Sequence, residues 1–171
     1  MGYVARIINR AQWEPKPYMS ADDIPADAIT RDLRTLGNEL SLWYCDGSNE
    51  QIEDVVLAWG AATSRPDPFD IVLLNPDTLQ SAGFVMKDSE GQTPVQDLRN
   101  RHVDLRELTL ARIALLGHQI AGELRADSNC REFRKAEVVE ILARAVRQGR
   151  VSLTDLKDEV RKKVDGVLTK N

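Results

Sequence analysis

The sequence predicts an α+β or α/β fold: a small mixed sheet of three to four strands with covering helices, followed by a C-terminal all-helical part. Three observations carry that reading. Residues 1–103 alternate apolar, β-branched runs with one amphipathic helical stretch. Residues 104–125, DLRELTLARIALLGHQIAGELR, form the longest segment with helical apolar spacing. Two further amphipathic stretches joined by a short turn close the chain. Residues 1–103 are therefore read as a mixed α/β body. Residues 104–171 are read as a spine helix and a helical hairpin packed on it.

Taken in order, residues 3–9 (YVARIIN) read as a strand, rich in β-branched and apolar side chains. The following Trp13-Glu14-Pro15-Lys16-Pro17-Tyr18-Met19 suits neither a helix interior nor a central strand, because its prolines favour an extended backbone. Residues 22–34 offer a short apolar face in Ala28, Ile29 and Leu33. Residues 39–45 (ELSLWYC) read as a strand that Asp46-Gly47 turns. Ser48 with Gln51 three residues on is a capping box, in which each side chain satisfies a free backbone N–H. Ile52, Val55, Val56, Trp59 and Thr63 then make a helical stripe, ended by Arg65-Pro66-Asp67-Pro68. Residues 69–74 (FDIVLL) form the continuous apolar run of a strand covered on both faces. These pieces fit a β-α-β unit with a right-handed parallel crossover.

Asn75 with Pro76 begins a short helix that Gly83 closes, and residues 84–87 suit an edge strand. Thr93-Pro94 opens a helical turn leading to the spine. On the spine, Leu110, Ile113, Ala114, Gly117, Ala121 and Leu124 share one face that Leu108, Ala111 and Leu115 widen, so substantial burial is expected. Residues 133–148 form the first hairpin helix. Ser152, with Asp155 at its third position and a Val151–Leu156 staple, begins the second. Leu153, Leu156, Val160, Val164 and Val167 run along one seam.

At 171 residues and 19.2 kDa the chain can bury one full core, and 42% hydrophobic with 29% charged residues is ordinary for a globular protein. No apolar run reaches bilayer length, so no membrane partner is expected. The first residues carry no basic start and apolar run of a secretory signal. Cys45 and Cys130 have no disulfide framework around them, and a cytoplasmic location is the expectation. Residues 1–124 hold 11 Lys/Arg against 19 Asp/Glu, net −8, while residues 125–171 hold 12 against 8, net +4. An acidic body repels nucleic acid; a basic tail meets either nucleic acid or an acidic protein surface.

Chemistry-bearing constellations are sparse. Asp46, Asn75 and Asp77 follow two strands where a parallel sheet places ligands, and their oxygens suit Mg²⁺. Turn and cap roles account for the same three residues, so no metal ligand is assigned. His102 sits among Arg99, Arg101, Asp104 and Arg106, which suits phosphate binding or a general base, but reads more simply as a solvated connection. His118 reads as a partly buried helix residue. No Ser-His-Asp constellation, HExxH helix or Gly-rich phosphate loop appears, so neither catalytic residues nor a cofactor are expected.

Two surfaces suit a partner. One is the aromatic, proline-fixed segment Trp13, Pro15, Pro17, Tyr18 and Met19. The other is the basic tail, through Arg144, Arg147 and Arg161. The expectation is a non-enzymatic protein–protein interaction subunit of accessory, antitoxin-like or immunity-like kind, with a homodimer as a further option. Nucleic-acid binding through the tail ranks second, since Glu137, Glu140, Asp158 and Glu159 are interspersed. A metal-dependent enzyme using Asp46 and Asp77 ranks third.

Overall fold

Six strands make one sheet in the order β4-β5-β2-β1-β3-β6 in a computed structural model that describes residues 2–13 and 23–170. The strands are β1 (Tyr3–Ile8), β2 (Leu40–Cys45), β3 (Phe69–Leu74), β4 (Val85–Asp88), β5 (His102–Arg106) and β6 (Cys130–Phe133). The helices are α1 (Ala26–Asp32), α2 (Asn49–Ala62), α3 (Pro76–Ser81), α4 (Leu110–Ala126), α5 (Lys135–Arg147) and α6 (Asp158–Leu168). The sheet is thus larger than the expected three to four strands, and every neighbouring pair is antiparallel rather than mixed. The C-terminal helices follow as expected.

The parallel crossover is present in altered form. β2 and β3 both run antiparallel to β1, so they are parallel to each other with β1 inserted between them. Ala5 is the pivot, paired with Trp43 on one side and Leu73 on the other. Strand alternation divides the core in two. Ala5, Trp43, Cys45, Phe69, Ile71 and Leu73 face α2 and the hairpin helices. Val4, Ile8, Leu42, Val72, Leu74, Val103 and Leu105 face α1, α3 and α4.

Local grammar sets most boundaries. The Ser48 hydroxyl accepts from the Gln51 N–H at 3.3 Å, while the Gln51 carboxamide oxygen accepts from the Asp46 N–H at 3.0 Å, so the reciprocal bond lands two residues before the cap. The Asn75 side chain accepts from the N–H groups of Asp77 and Thr78, and Gly83 closes α3 at φ +83°. The turn at Ser152 departs from expectation. Its hydroxyl caps a single 3₁₀ turn, Leu153–Asp155, and α6 begins only at Asp158. Leu156 remains 2% exposed, so the staple residue is buried although the helix starts later.

Two elements correct the sequence reading. Residues 102–106 are a strand, and the spine starts at Leu110 behind a Thr109 cap, separated from β5 by Glu107 in the left-handed region at φ +55°. The buried face of α4 is Ile113, Leu116, Gly117, Ile120 and Ala121, whereas Leu110 is 85% exposed and Leu115 40%. The hairpin does not dock on this helix. It packs on α2, on the opposite face of the sheet, where a Cβ at Gly60 would stand 3.4 Å from a Val138 methyl. Val160 and Val164 of α6 are fully buried in that same cluster.

Val160→Asp is therefore expected to put an unpaired charge inside the monomer and lower its stability by roughly 3–5 kcal/mol, counting the lost apolar packing as well. Urea denaturation of the monomer checks this. A variant that keeps its midpoint and only changes its oligomeric state would remove the seam from the core.

Candidate functional site

At the ends of β2 and β3, β1 stands between Asp46 and Asn75, a separation of about two strand spacings, roughly 10 Å. Asp46 is committed locally: its carboxylate accepts from the Ser48 N–H at 2.8 Å and the Gln51 amide at 3.0 Å. Hydrogen bonds from Ser48 hold its carboxyl below the usual carboxylate range. Asn75 caps α3, and Asp77 lies in its first turn. Among the described residues no three His, Cys, Asp or Glu side chains gather as a metal site would require. Cys45 and Cys130 are free and buried on opposite faces of the sheet. Burial raises both thiols, Cys130 to about 11, which keeps them protonated and poor nucleophiles.

His102 is not the solvated connection that its arginine-rich surroundings imply. It lies on β5, paired across the ladder with Trp43, and Asp104 is paired with Ser41. Both His102 and Asp104 are 8% exposed. The loop after β4 brings in Ser89, whose Oγ donates to Asp104 Oδ2 at 2.6 Å and lies 2.7 Å from His102 Nδ1. One hydroxyl proton cannot serve both neighbours. With Asp104 ionised, the consistent arrangement is Nδ1–H donating to Ser89 Oγ and Ser89 O–H donating to the carboxylate. The Ser41 hydroxyl donates to the other oxygen of Asp104 at 3.2 Å.

The three residue types of a hydrolytic triad therefore meet, contrary to the sequence reading, but in the wrong order for one. Serine sits between the imidazole and the carboxylate, so the imidazole donates to serine instead of taking its proton. The chain serves as a staple between the β4 loop and β5. Trp43 packs edge-on to the imidazole with ring centroids 5.0 Å apart. Gly91 lies over that indole so closely that a Cβ would stand 2.5 Å from it. Beside the staple is a cleft of about 240 Å³, bordered by Trp43, Trp59, His102 and Arg6. Arg6 donates to the carbonyls of Ser41 (2.9 Å) and Asp32 (3.1 Å) across the widening gap between β1 and β2. Burial lowers its guanidinium to about 10, which leaves it charged at neutral pH.

The surface called from sequence around Trp13 is only partly described: Pro15, Pro17, Tyr18 and Met19 lie outside the described residues. Trp13 itself is 3% exposed, with its indole N–H donating to Asp32 at 2.8 Å, and so belongs to the core. The tail arginines are engaged within the fold. Arg144 pairs with Glu53 of α2, Arg147 with Glu140 at 3.1 Å, and Arg161 with Asp158. Arg150 donates to Asp54 and Asp97, both at 2.7 Å, and Arg101 adds a second cation to Asp54 at 3.1 Å. Burial opposes the charge on Arg150, but those carboxylates outweigh it and raise the guanidinium.

The lysines are arranged differently. α5 and α6 run antiparallel, and between the first turns of α5 and the last of α6 is an open groove of about 680 Å³. Ala136, Val139, Gly166 and Val167 make its floor, and Lys135, Lys162, Lys163 and Lys170 stand along its rims. None of these four lysines has an acidic partner among the described residues. Asp158 and Glu159 stand at the i, i+4 spacing that would pair with Lys162 and Lys163, but Asp158 goes to Arg161 and Glu159 to Arg65 at 3.7 Å. Glu140, the one acid on the groove, is held by Arg147. Sequence reading grouped three of these lysines with the tail arginines. It could not separate them, because the acids that Arg144 and Arg150 take lie on α2 and in the turn before β5.

No protein-family model matches the chain, and neither the curated proteins nor the solved structures contain a significant match to it.

The staple makes a pH prediction. Burial depresses the pKa of His102, while Asp104 acts in the opposite direction. The unfolded imidazole takes up a proton near pH ~6.5 and the folded one only at lower pH. The contribution is thus present above that value and is lost as pH falls through it. His102→Gln should show a smaller drop in urea midpoint between about pH 7.5 and 5.5 than the parent protein. Equal drops would mean that His102 is not the group responsible.

Proposed function

We propose that the chain is a non-enzymatic protein–protein interaction subunit, of accessory, antitoxin-like or immunity-like kind, that holds its partner in the groove between α5 and α6. One observation carries the reading: a groove with an apolar lining, edged by four lysines that have no carboxylate partner among the described residues. The tail arginines Arg144, Arg147, Arg150 and Arg161 are each paired with an acid, so the lysines of the groove stand apart from them. Cation-rimmed apolar surface costs solubility and self-repulsion, and a binding surface is its ordinary reason. Of the carboxylates of the metal-enzyme alternative, Asp46 accepts from Ser48 and Gln51, and Asp77 stands in the first turn of α3 with its N–H on the Asn75 cap, which disfavours that alternative.

Nucleic-acid binding through the same lysines is the second reading. It is favoured by their spacing along one side of the hairpin, and disfavoured by the apolar floor and the acidic body.

A photo-crosslinking residue placed at Ala136, which is exposed on α5, tests the interaction in the native cell. The expected result is a discrete protein adduct of reproducible mass, absent when the same residue replaces Ser81 on the exposed side of α3. Equal adducts from both positions, or nuclease-sensitive adducts alone, would refute the reading.

A further inference from the structure

We infer that the groove takes an amphipathic helix with acidic flanks, contributed by another protein; this rests on the interaction reading and names the chemistry of its partner. Charge complementarity is the first argument. Four ammonium groups on two rims, with Glu140 already neutralised by Arg147, leave a strong cationic excess along the groove. Carboxylates on both sides of an incoming segment satisfy both rims at once. The floor then requires apolar side chains between those acidic flanks, and a helix supplies that pattern at i, i+3, i+4 and i+7.

The apolar part of the groove separates protein from nucleic acid. The apolar part of the lining that stays accessible is Ala136, which is exposed, and Val167, which is half-buried, a contribution that a phosphate backbone does not use.

Gly166 marks where the groove can be blocked. It lies inside α6 on the groove lining, and a Cβ there would meet nothing within 4 Å, so a large side chain has room to enter the groove without displacing the fold.

The test uses the full chain and a fluorescein-labelled synthetic peptide with leucines at helical spacing and glutamates elsewhere. Comparison probes are a scrambled peptide of the same composition, a glutamate homopolymer and a labelled DNA duplex. Fluorescence anisotropy should show the amphipathic peptide binding most tightly, and more weakly as salt is raised to about 0.5 M. Gly166→Phe fills open space without touching the core and replaces a poor helix former, so its melting temperature should equal or exceed that of the parent. It is expected to weaken the peptide by about tenfold or more, as is Lys162→Glu/Lys163→Glu. Preference for the duplex would make the groove a nucleic-acid site and overturn the inference. Equal binding of the scrambled peptide or of polyglutamate would overturn it too, by removing the apolar floor from recognition. So would a concentration-dependent dimer, measured by light scattering and abolished by Gly166→Phe, because the occupant would then be a second copy. If no peptide binds but the crosslink at position 136 still captures a protein, the partner chemistry is wrong and the interaction reading survives; if neither occurs, both fail.

Discussion

α2 is buried on two sides at once, and the rest of the molecule is arranged around that constraint. Ile52, Val55, Val56, Leu57, Ala58 and Ala61 are all at most 3% exposed, more than a one-sided amphipathic stripe provides. One side covers the sheet around Ala5, Trp43 and Leu73; the other receives Val138 and Leu142 of α5. At Gly60 the two helices are in direct contact, since a Cβ there would already meet Val138 and Leu142 at ordinary van der Waals distance. The hairpin is thereby fixed on the outside of α2, two layers from the sheet. Its inward face is sealed by α2, and the mouth between its helices is left facing solvent.

Such a layered arrangement buries polar groups, and three buried aspartates have designated partners. Asp54, 9% exposed on α2, accepts from Arg101 and Arg150, which joins the turn before β5 and the end of α5 to the middle helix. Asp32 accepts from the Asn9 N–H and the Trp13 indole at 2.8 Å each, while its own carbonyl receives Arg6. Asp104 takes two serine hydroxyls. Removing one member of any such set leaves a buried group unsatisfied, which costs more than the bond itself contributes. The meeting of Ser89, His102 and Asp104 ties the loop after β4 to β5 in the same way.

How much of this was readable in the sequence varies with the range of the interaction. β1, β2, β3, α2 and α3 were readable because local signals set them: alternation, a Ser48 cap, an Asn75-Pro76 start. β5 was missed because Val103 and Leu105 continue into the apolar spacing of the spine, and only the left-handed Glu107 separates strand from helix. β6 is four residues long with two charged positions, Arg131 and Glu132, and shows no alternation without its partner β3. The antiparallel order could not be read, since the insertion of β1 between β2 and β3 is a long-range choice. The same holds for the site. The basic tail was visible as composition, but the division into paired arginines and unpaired lysines is set by Glu53, Asp54 and Asp97, residues far away in the chain.

That division has a consequence for recognition. Residues 1–124 carry a net charge of −8 and residues 125–171 one of +4. An acidic partner approaching from most directions meets like charge, and the tail is the exception. Because Arg144 and Arg150 are already paired with α2 and the turn before β5, the lysine rims hold the part of the tail's charge that borders an apolar lining. On the proposed reading, repulsion by the body and attraction by the rims would act together as an orienting field, raising the rate of productive encounter. Affinity would then come from the apolar lining, where Ala136 and Val167 are left accessible. In that case the charge pattern would decide where a partner arrives, and the apolar groove whether it stays.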